Sequence, residues 1–384
     1  MPELSAPDDP PQDARPSAPS SAKPFEVDEA KGLLLPFIVG RTVLIAVSGG
    51  SDSVALMRLC AAAARDTIGP RPFVATVDHG LRHGSRAEAM EVGVWARQCG
   101  LAHAILPWEG QKPATGVQER ARTVRYALLV AHACQIGASV LLTAHTLDDQ
   151  AETVLMRLSR GSGLAGLAGM RLLSQRDGIA HARPFLGVQK ARLVASCAAN
   201  RWPFFDDPTN ADPQFARTRW RKLAPLLAKE GLTAARLAKL AERAGAVEEA
   251  LDAKAAQAFA LSLIDQSSGT VALDLAALTR SEPREIVLRV FARALDKARG
   301  AAPSTLQIRL QRVEAAVAAL RAAVMQGRSV RRSLAGTVLS YDGERVLTLS
   351  READRQRGRR GRASSRAATT AHSRHRTAFP RELE

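Results

Sequence analysis

Four cysteines stand in the 384 residues, Cys60, Cys99, Cys134 and Cys197, and no two are close in sequence. That spacing excludes a zinc ribbon, a paired redox motif and a disulfide framework. They read instead as small buried hydrophobes in a reducing compartment. No apolar run approaches the roughly 20 residues needed to span a bilayer, so no membrane segment is expected. The start, Met1-Pro2-Glu3-Leu4 followed by Asp8, Asp9 and several prolines, lacks the cationic and apolar stretches of a secretory signal. The expectation is a cytoplasmic protein. Acidic side chains are also short, with 38 Asp and Glu against 54 Lys and Arg, a formal charge of +16 and a pI near 10.7. Such an excess points to a polyanionic partner, a nucleic acid or an anionic membrane surface. The chain has no internal repeat, no Walker-type Gly-Lys-Ser/Thr and no dinucleotide fingerprint.

What is present is a chain 46% apolar, long enough for two or three domains. Residues 1–24 are rich in Pro, Ser, Ala and Asp, and read as a disordered leader that buries too little to offset its ordering entropy. Residues 25–227 alternate short apolar runs with helical stretches. Thr42–Val47, Phe73–Val77 and Ser139–Thr143 are runs apolar on both faces, as strands of a covered parallel sheet are. Helical segments lie between them, at Ser53–Arg65, Arg86–Cys99 and Val117–Ile136. The alternation predicts an α/β fold with a doubly wound parallel sheet. Residues 228–325 carry Ala, Leu, Arg and Glu at helical spacing and predict a smaller helical domain. Residues 326–350 predict a short β-hairpin, since Asp342-Gly343 sits between two apolar runs. From residue 351 onward there are ten arginines and four carboxylates, a disordered basic tail.

The most informative segment is Ser48-Gly49-Gly50-Ser51-Asp52-Ser53, between the first strand and the next helix. Glycines at the carboxyl end of a parallel strand let phosphates approach backbone N–H groups, and the helix presents its positive end to the same spot. The serines add hydroxyl donors. Asp52 is a negative charge in a phosphate site, which a divalent cation such as Mg²⁺ reconciles. The alternative is a plain turn in which Asp52 or Ser53 caps the helix.

This loop resembles the pyrophosphate loop of the N-type ATP pyrophosphatases, the PP-loop superfamily. Four further segments narrow the resemblance. They are Val77-Asp78-His79-Gly80-Leu81-Arg82, then Gln118-Glu119-Arg120-Ala121-Arg122 with Arg125-Tyr126, and Thr143–Thr153 leading into Arg160–Leu167. The last is Asp207-Pro208-Thr209-Asn210 with Asp212, Phe215, Arg217 and Arg221. In this order the set resembles the tRNA(Ile)-lysidine synthase family, over about Val43 to Leu227. Thr218 departs from it, since the family often has Asn there.

The resemblance implies ATP and Mg²⁺ as cofactors, with the isoleucine tRNA of anticodon CAU and free L-lysine as partners. It implies that O2 of the wobble cytidine attacks the α-phosphate of ATP. The ε-amine of lysine then displaces AMP, giving lysidine and changing the tRNA from Met to Ile specificity. It places ATP on Ser48, Gly49, Gly50, Ser51, Asp52 and Ser53, with Mg²⁺ at Asp52. Catalytic or substrate-binding positions are His145, Asp148, Asp149, Glu152, Arg217 and Arg221, with Asp78, His79, Arg120 and Arg122 as secondary candidates. Chemistry gives the acids a reason: an ammonium of pKa about 10.4 must be held and deprotonated. The expected division puts Asp149 and Glu152 on lysine, and Asp148 and His145 near the reacting phosphate, with His145 also able to take the proton.

Simpler readings stand beside these. Acids in a first helical turn complement the dipole, Asp78 and His79 suit a capped turn, and Arg120 and Arg122 suit a solvated helix. His103, His132 and His181 read as structural histidines, and Trp202, Phe204 and Phe205 as core rather than base-stacking groups. A tRNA thiolase, an amidating synthetase and a non-catalytic tRNA-binding protein are the rival functions, disfavoured by the unpaired cysteines, the lack of a glutaminase segment and the intact acidic set. Self-association as a homo-oligomer is left open.

Overall fold

In the computed structural model, residues 22–65, 67–81, 84–113, 115–206, 216–267, 269–300 and 310–352 are described. Most of the expected leader, most of the basic tail and the 207–215 segment fall outside them. The chain divides into two compact units, within residues 1–252 and 253–384.

In the first unit the run after Thr42 becomes β1 (Val43–Ala46). It pairs in parallel with β2 (Phe73–Asp78) on one side and β4 (Val140–Leu142) on the other. The six-stranded sheet has the order β3-β2-β1-β4-β6-β5. Here β3 (His103–Pro107) and β6 (Ile179–Ala182) continue the parallel set, and β5 (Leu173–Arg176) closes one edge antiparallel. Strand periodicity splits the central side chains between two cores. Val43, Ile45, Val140 and Leu142 pack with residues of α1 (Val27–Ile38), α2 (Ser51–Ala63), α3 (Ser85–Gln98) and α7 (Lys190–Ala199). Leu44, Ala75 and Leu141 pack with Tyr126, Leu129, Val130 and Ala133 of α4 (Val117–Gln135). Helices thus cover both faces, which is why these strands have no polar face. The fold is the expected α/β type.

After β1 the chain winds outward through β2 and β3, then returns by α4 to β4 on the other side of β1. Winding reverses between β1 and β4, and the crevice at their carboxyl ends is where such sheets bind ligands. Out of β4 comes α5 (Leu147–Leu158), against which α8 (Ala216–Lys229) packs. Trp220 and Leu227 of α8 lie on a small core of Ala151, Val154, Leu155, Leu237 and Ala241. Of the cysteines, Cys60 and Cys197 are buried as expected, whereas Cys99 is half-buried and Cys134 exposed.

The second unit holds a five-stranded antiparallel sheet of order β7-β8-β11-β10-β9. The hairpin expected around Asp342-Gly343 joins β10 (Thr337–Tyr341) to β11 (Val346–Arg351). Asp342 accepts the amides of Glu344, Arg345 and Val346, which closes the turn. Two features depart from the sequence reading. The 228–325 segment is not helical throughout, because α9 (Ala234–Ser262) runs straight into β7 (Leu263–Ser267), followed by β8 (Thr270–Asp274). The 333–340 run is also two strands, β9 (Val330–Leu334) and β10, broken where Ala335 and Gly336 take φ of 51° and 79°. On this sheet pack α10 (Leu275–Ser281), α11 (Arg284–Arg299) and α12 (Leu310–Gln326).

Candidate active site

The glycine turn leaves β1 through Val47, whose amide still bonds to the Ala75 carbonyl at 2.9 Å. Gly49 has φ +90°, a conformation that favours glycine, and its carbonyl accepts the Phe205 amide at 2.9 Å. Gly50, extended, is the N-cap of α2. The first helical bond runs from Val54 N to Gly50 O, so the amides of Ser51, Asp52 and Ser53 have no partner within the helix. They form the positive end that a phosphate would meet. Neither Asp52 nor Ser53 caps the helix. Ser53 instead ties the loop together: its Oγ donates to Gly50 O at 2.9 Å and accepts from Ser48 N at 3.2 Å. That hydroxyl is therefore engaged within the loop.

Asp52 is largely covered, and burial pushes its carboxyl above the usual carboxylate range while the charge of Lys190 pulls it down. Lys190 Nζ donates to Asp52 Oδ2 at 2.7 Å, and its backbone N donates to Asp148 Oδ2 at 2.8 Å. One residue at the start of α7 thereby pins both acids, and sequence reasoning missed it. The signal was a cation in a first helical turn, where the dipole disfavours it unless an acid compensates. Asp148 thereby satisfies the first amide of α7 and stands beside the pair that Lys190 makes with Asp52.

Across the crevice, Thr146 and Asp149 form a capping box at the start of α5. Asp149 Oδ2 accepts from Thr146 N at 2.9 Å and Thr146 Oγ1 at 3.0 Å. Its other oxygen lies 3.8 Å from the Arg221 guanidinium. Burial raises the Asp149 carboxyl, but the Thr146 amide, His145 and Arg217 outweigh it and the net shift is downward. Glu152 Oε1 accepts from Arg221 Nε at 2.5 Å, with Oε2 more loosely held at 3.4 Å from Nη2. Burial still raises its pKa. Glu152 is thus engaged by Arg221, more closely through Oε1 than through Oε2. Arg217, one turn earlier on α8, brings its charge to bear on His145, Asp149 and Glu152. Asp149 links the two halves of the site, since its charge reaches Asp52 as well as His145.

The secondary candidates separate. Asp78 closes the turn before α3, accepting from Gly80 N at 3.0 Å and Ser85 Oγ at 2.8 Å. His79 lies edge-on to Trp108 and is pushed down to about 4 by burial and by Arg125. Arg120 is exposed. Arg122 sits over the Tyr126 ring at 5.3 Å, and its charge reaches His145. Trp202, Phe204 and Phe205 pack on the core, with Phe205 against Trp95 at 4.9 Å.

Burial holds His79, His103 and His145 at about 4 and His181 at about 3. Each is neutral in the native state at pH 5 to 6, where an unfolded imidazole takes up a proton near 6.5. The unfolded state then binds more protons, so stability rises with pH across this window. Lowering the pH from 7 to 5 is expected to lower the urea midpoint. A group as buried as His181 contributes up to about 1.4 kcal/mol per pH unit. A flat midpoint would contradict these histidine environments.

A nucleotide fits this crevice by its free amides, its glycine turn and the facing guanidinium groups. Among the described residues, no group of three or more His, Cys, Asp or Glu side chains could hold a metal by itself. Mg²⁺ is commonly held by one or two carboxylates together with substrate phosphates, and Asp52 suits that manner of binding. No helix among the described residues is long and apolar enough to cross a membrane.

Comparison with known proteins narrows the chemistry. The family model described as a PP-loop domain matches residues 27–227. A tRNA(Ile)-lysidine synthase from Methylobacterium sp. (strain 4-46) is 47% identical over 348 residues, covering 88% of this chain and 98% of the relative. One from Methylobacterium nodulans is 49% identical over 318 residues, covering 82% and 92%. One from a Bradyrhizobium species is 43% identical over 347 residues, covering 87% and 97%. Likeness along nearly the whole length of these relatives goes beyond a shared nucleotide fold, and the chain belongs to the tRNA(Ile)-lysidine synthase family, ATP-using ligases that carry a PP-loop domain.

Proposed function

We propose that the chain joins free L-lysine to carbon 2 of the wobble cytidine of the CAU-anticodon isoleucine tRNA, through an adenylated cytidine. Lysidine then pairs with A rather than G, and the tRNA changes from Met to Ile specificity. The observation that carries this reading is the pairing of two unlike halves in one crevice. Helix-start amides beside Asp52 suit phosphates, while Asp149 faces them among guanidinium groups.

The residues divide the work as follows. The amides of Ser51, Asp52 and Ser53 hold phosphate oxygens, and Asp52 is the carboxylate that would hold Mg²⁺, which would supply positive charge beside those oxygens. A cation at Asp52 would take the place that Lys190 Nζ holds, 2.7 Å from Oδ2. Arg217 and Arg221 offset charge building at the α-phosphate as cytidine O2 attacks. Asp149, held low and therefore charged, keeps the lysine ammonium in place. Deprotonating that ammonium costs roughly 4 to 5 kcal/mol at neutral pH. Glu152 has the raised pKa, and its loosely held Oε2 is the better acceptor for the proton. Exposed Arg331 and Arg332 of β9 suit a hold on the tRNA body, with the salt sensitivity of phosphate contacts. The reaction belongs in the cytoplasm.

The test is incubation with ATP, Mg²⁺, lysine and bulk tRNA, reading AMP release and the nucleosides by mass spectrometry. Release that depends on both lysine and tRNA, with lysidine appearing, is expected. Release without either one, or no lysidine, overturns the reading. Asp149→Asn separates the steps: exchange of labelled pyrophosphate into ATP should persist while lysine transfer falls at least tenfold. Equal loss of both would refute the role given to Asp149.

A further inference from the structure

Behind His145 runs a chain of hydrogen bonds with a defined direction. It begins at Arg183, just after β6, whose Nη2 lies 3.0 Å from His181 Nδ1. A guanidinium has donors only, so His181 Nδ1 must be the acceptor. The neutral ring then carries its proton on Nε2. That atom lies 2.9 Å from Thr143 Oγ1, which accepts it. The threonine hydroxyl has one hydrogen of its own, and the remaining partner is His145 Nδ1 at 2.8 Å. His145 Nδ1 is therefore an acceptor too, and the proton of the neutral ring sits on Nε2, the nitrogen on the far side of the ring.

Each member is held where it is. His181 is fully buried, and Thr143 and Arg183 nearly so. Arg183 is anchored by donating through Nη1 to Arg171 O at 2.7 Å and Ser174 Oγ at 3.1 Å. The bonds cannot reverse, because reversal requires a hydrogen on His181 Nδ1 facing a group that has no acceptor.

We propose that Thr143, His181 and Arg183 are positioning residues that fix His145 as the Nε2–H tautomer, so that it donates a hydrogen bond to an anionic oxygen and accepts no proton. The specific use, donation to a phosphate or phosphoryl oxygen, rests on the function proposed above; the tautomer does not. Of the two acceptors the sequence leaves open for the lysine proton, a carboxylate or His145, this selects the carboxylate. Protonating His145 would put a hydrogen on Nδ1 against the one Thr143 already directs there. The charged groups acting on the ring agree: Arg183 behind it, Arg122 of α4 and Arg217 of α8 oppose a positive imidazole, with Asp149 of α5 the opposing influence. His181 stands behind Thr143, its ring centre 6.4 Å from that of His145. The proton leaving the lysine ammonium goes to a carboxylate, and His145 keeps its own throughout.

The experiment is nitrogen-15 NMR of the full chain labelled at histidine, without substrates, between pH 5.5 and 8. The His145 signals should be those of a neutral ring protonated at Nε2, unchanged across that range. Thr143→Val removes the relay, and its His145 signal should then titrate or show both tautomers. AMP release should fall about tenfold in this variant, and Thr143→Ser should restore both properties. His181→Leu provides a second break in the chain should Thr143→Val fold poorly. A His145 proton on Nδ1 in the unaltered protein, titration near 6.5, or an unchanged His145 signal in both relay variants would overturn the proposal. The NMR result needs no ATP, lysine or tRNA, so it stands or falls apart from the lysidine assay.

Discussion

Gly49→Ala is expected to abolish most ATP-dependent AMP release and to lower the stability of the protein. A β-carbon at this position, built on φ +90°, meets Phe205 Cδ2 at 2.8 Å and Val92 Cγ2 at 3.4 Å. The ring has little room to yield. Its own amide is bonded to the Gly49 carbonyl, and it packs against Trp95. Left-handed backbone in a residue other than glycine costs of order 1–3 kcal/mol, and forced overpacking adds about 1–3 kcal/mol. The alternative is for the turn to move, which carries the amides of Ser51, Asp52 and Ser53 with it. Misplacement by about 1 Å can cost roughly a hundredfold in rate. Denaturation and initial-rate measurements on the same preparation check both parts. A variant of normal stability and normal rate would show that the turn is not held as described.

Arg221→Ala tests the opposite wall. Glu152 has a side chain only 9% exposed, and its close partner is Arg221. Removing one member of a fully buried pair costs about 3–5 kcal/mol. The Arg221 side chain is 38% exposed, so solvent screening reduces the expected loss to about 1–3 kcal/mol. The pH dependence is the sharper prediction. Burial already raises the Glu152 pKa against the pull of Arg221, and losing the cation raises it further. A raised carboxyl binds more protons in the native state than in the unfolded one, so its contribution to stability falls as pH rises through that window. The penalty of Arg221→Ala should therefore be largest at neutral pH and shrink toward pH 4. Denaturation of both proteins at pH 5 and 8 measures it. A penalty independent of pH would mean that Glu152 is not the group left unpaired. Activity should fall as well, since the guanidinium also lies 3.8 Å from Asp149.

The residues explain how far sequence reasoning reached. The central strands were legible because helices cover both faces, which leaves Val43–Ala46 and Val140–Leu142 uniformly apolar. The glycine turn was legible because it has a fixed place after such a strand. The edge strand β3 was not, because His103–Pro107 is only half-buried and shows no clean pattern. The pair β7 and β8 was hidden behind the 29 residues of α9, which pass into a strand with no intervening loop. In the site, residue types were legible and their commitments were not. Asp148, Ser53 and Glu152 read as free polar groups, yet long-range partners claim two of them: the amide of Lys190, 42 residues on, and Arg221, 69 residues on. Lys190 itself lies 138 residues from Asp52, a separation that no local pattern encodes. His181 reads as structural in the sequence because Thr143, which links it to His145, lies 38 residues earlier.

The contact of Phe205 with Trp95 gives the protein an optical gauge of its own. The Gly49 carbonyl holds the Phe205 backbone and the Phe205 ring leans on the indole, so any shift of the glycine turn on ligation is relayed to a chromophore. Indole emission should therefore track occupancy of the crevice without an added label, and replacing Trp95 by Phe should silence that response while the other three tryptophans still fluoresce.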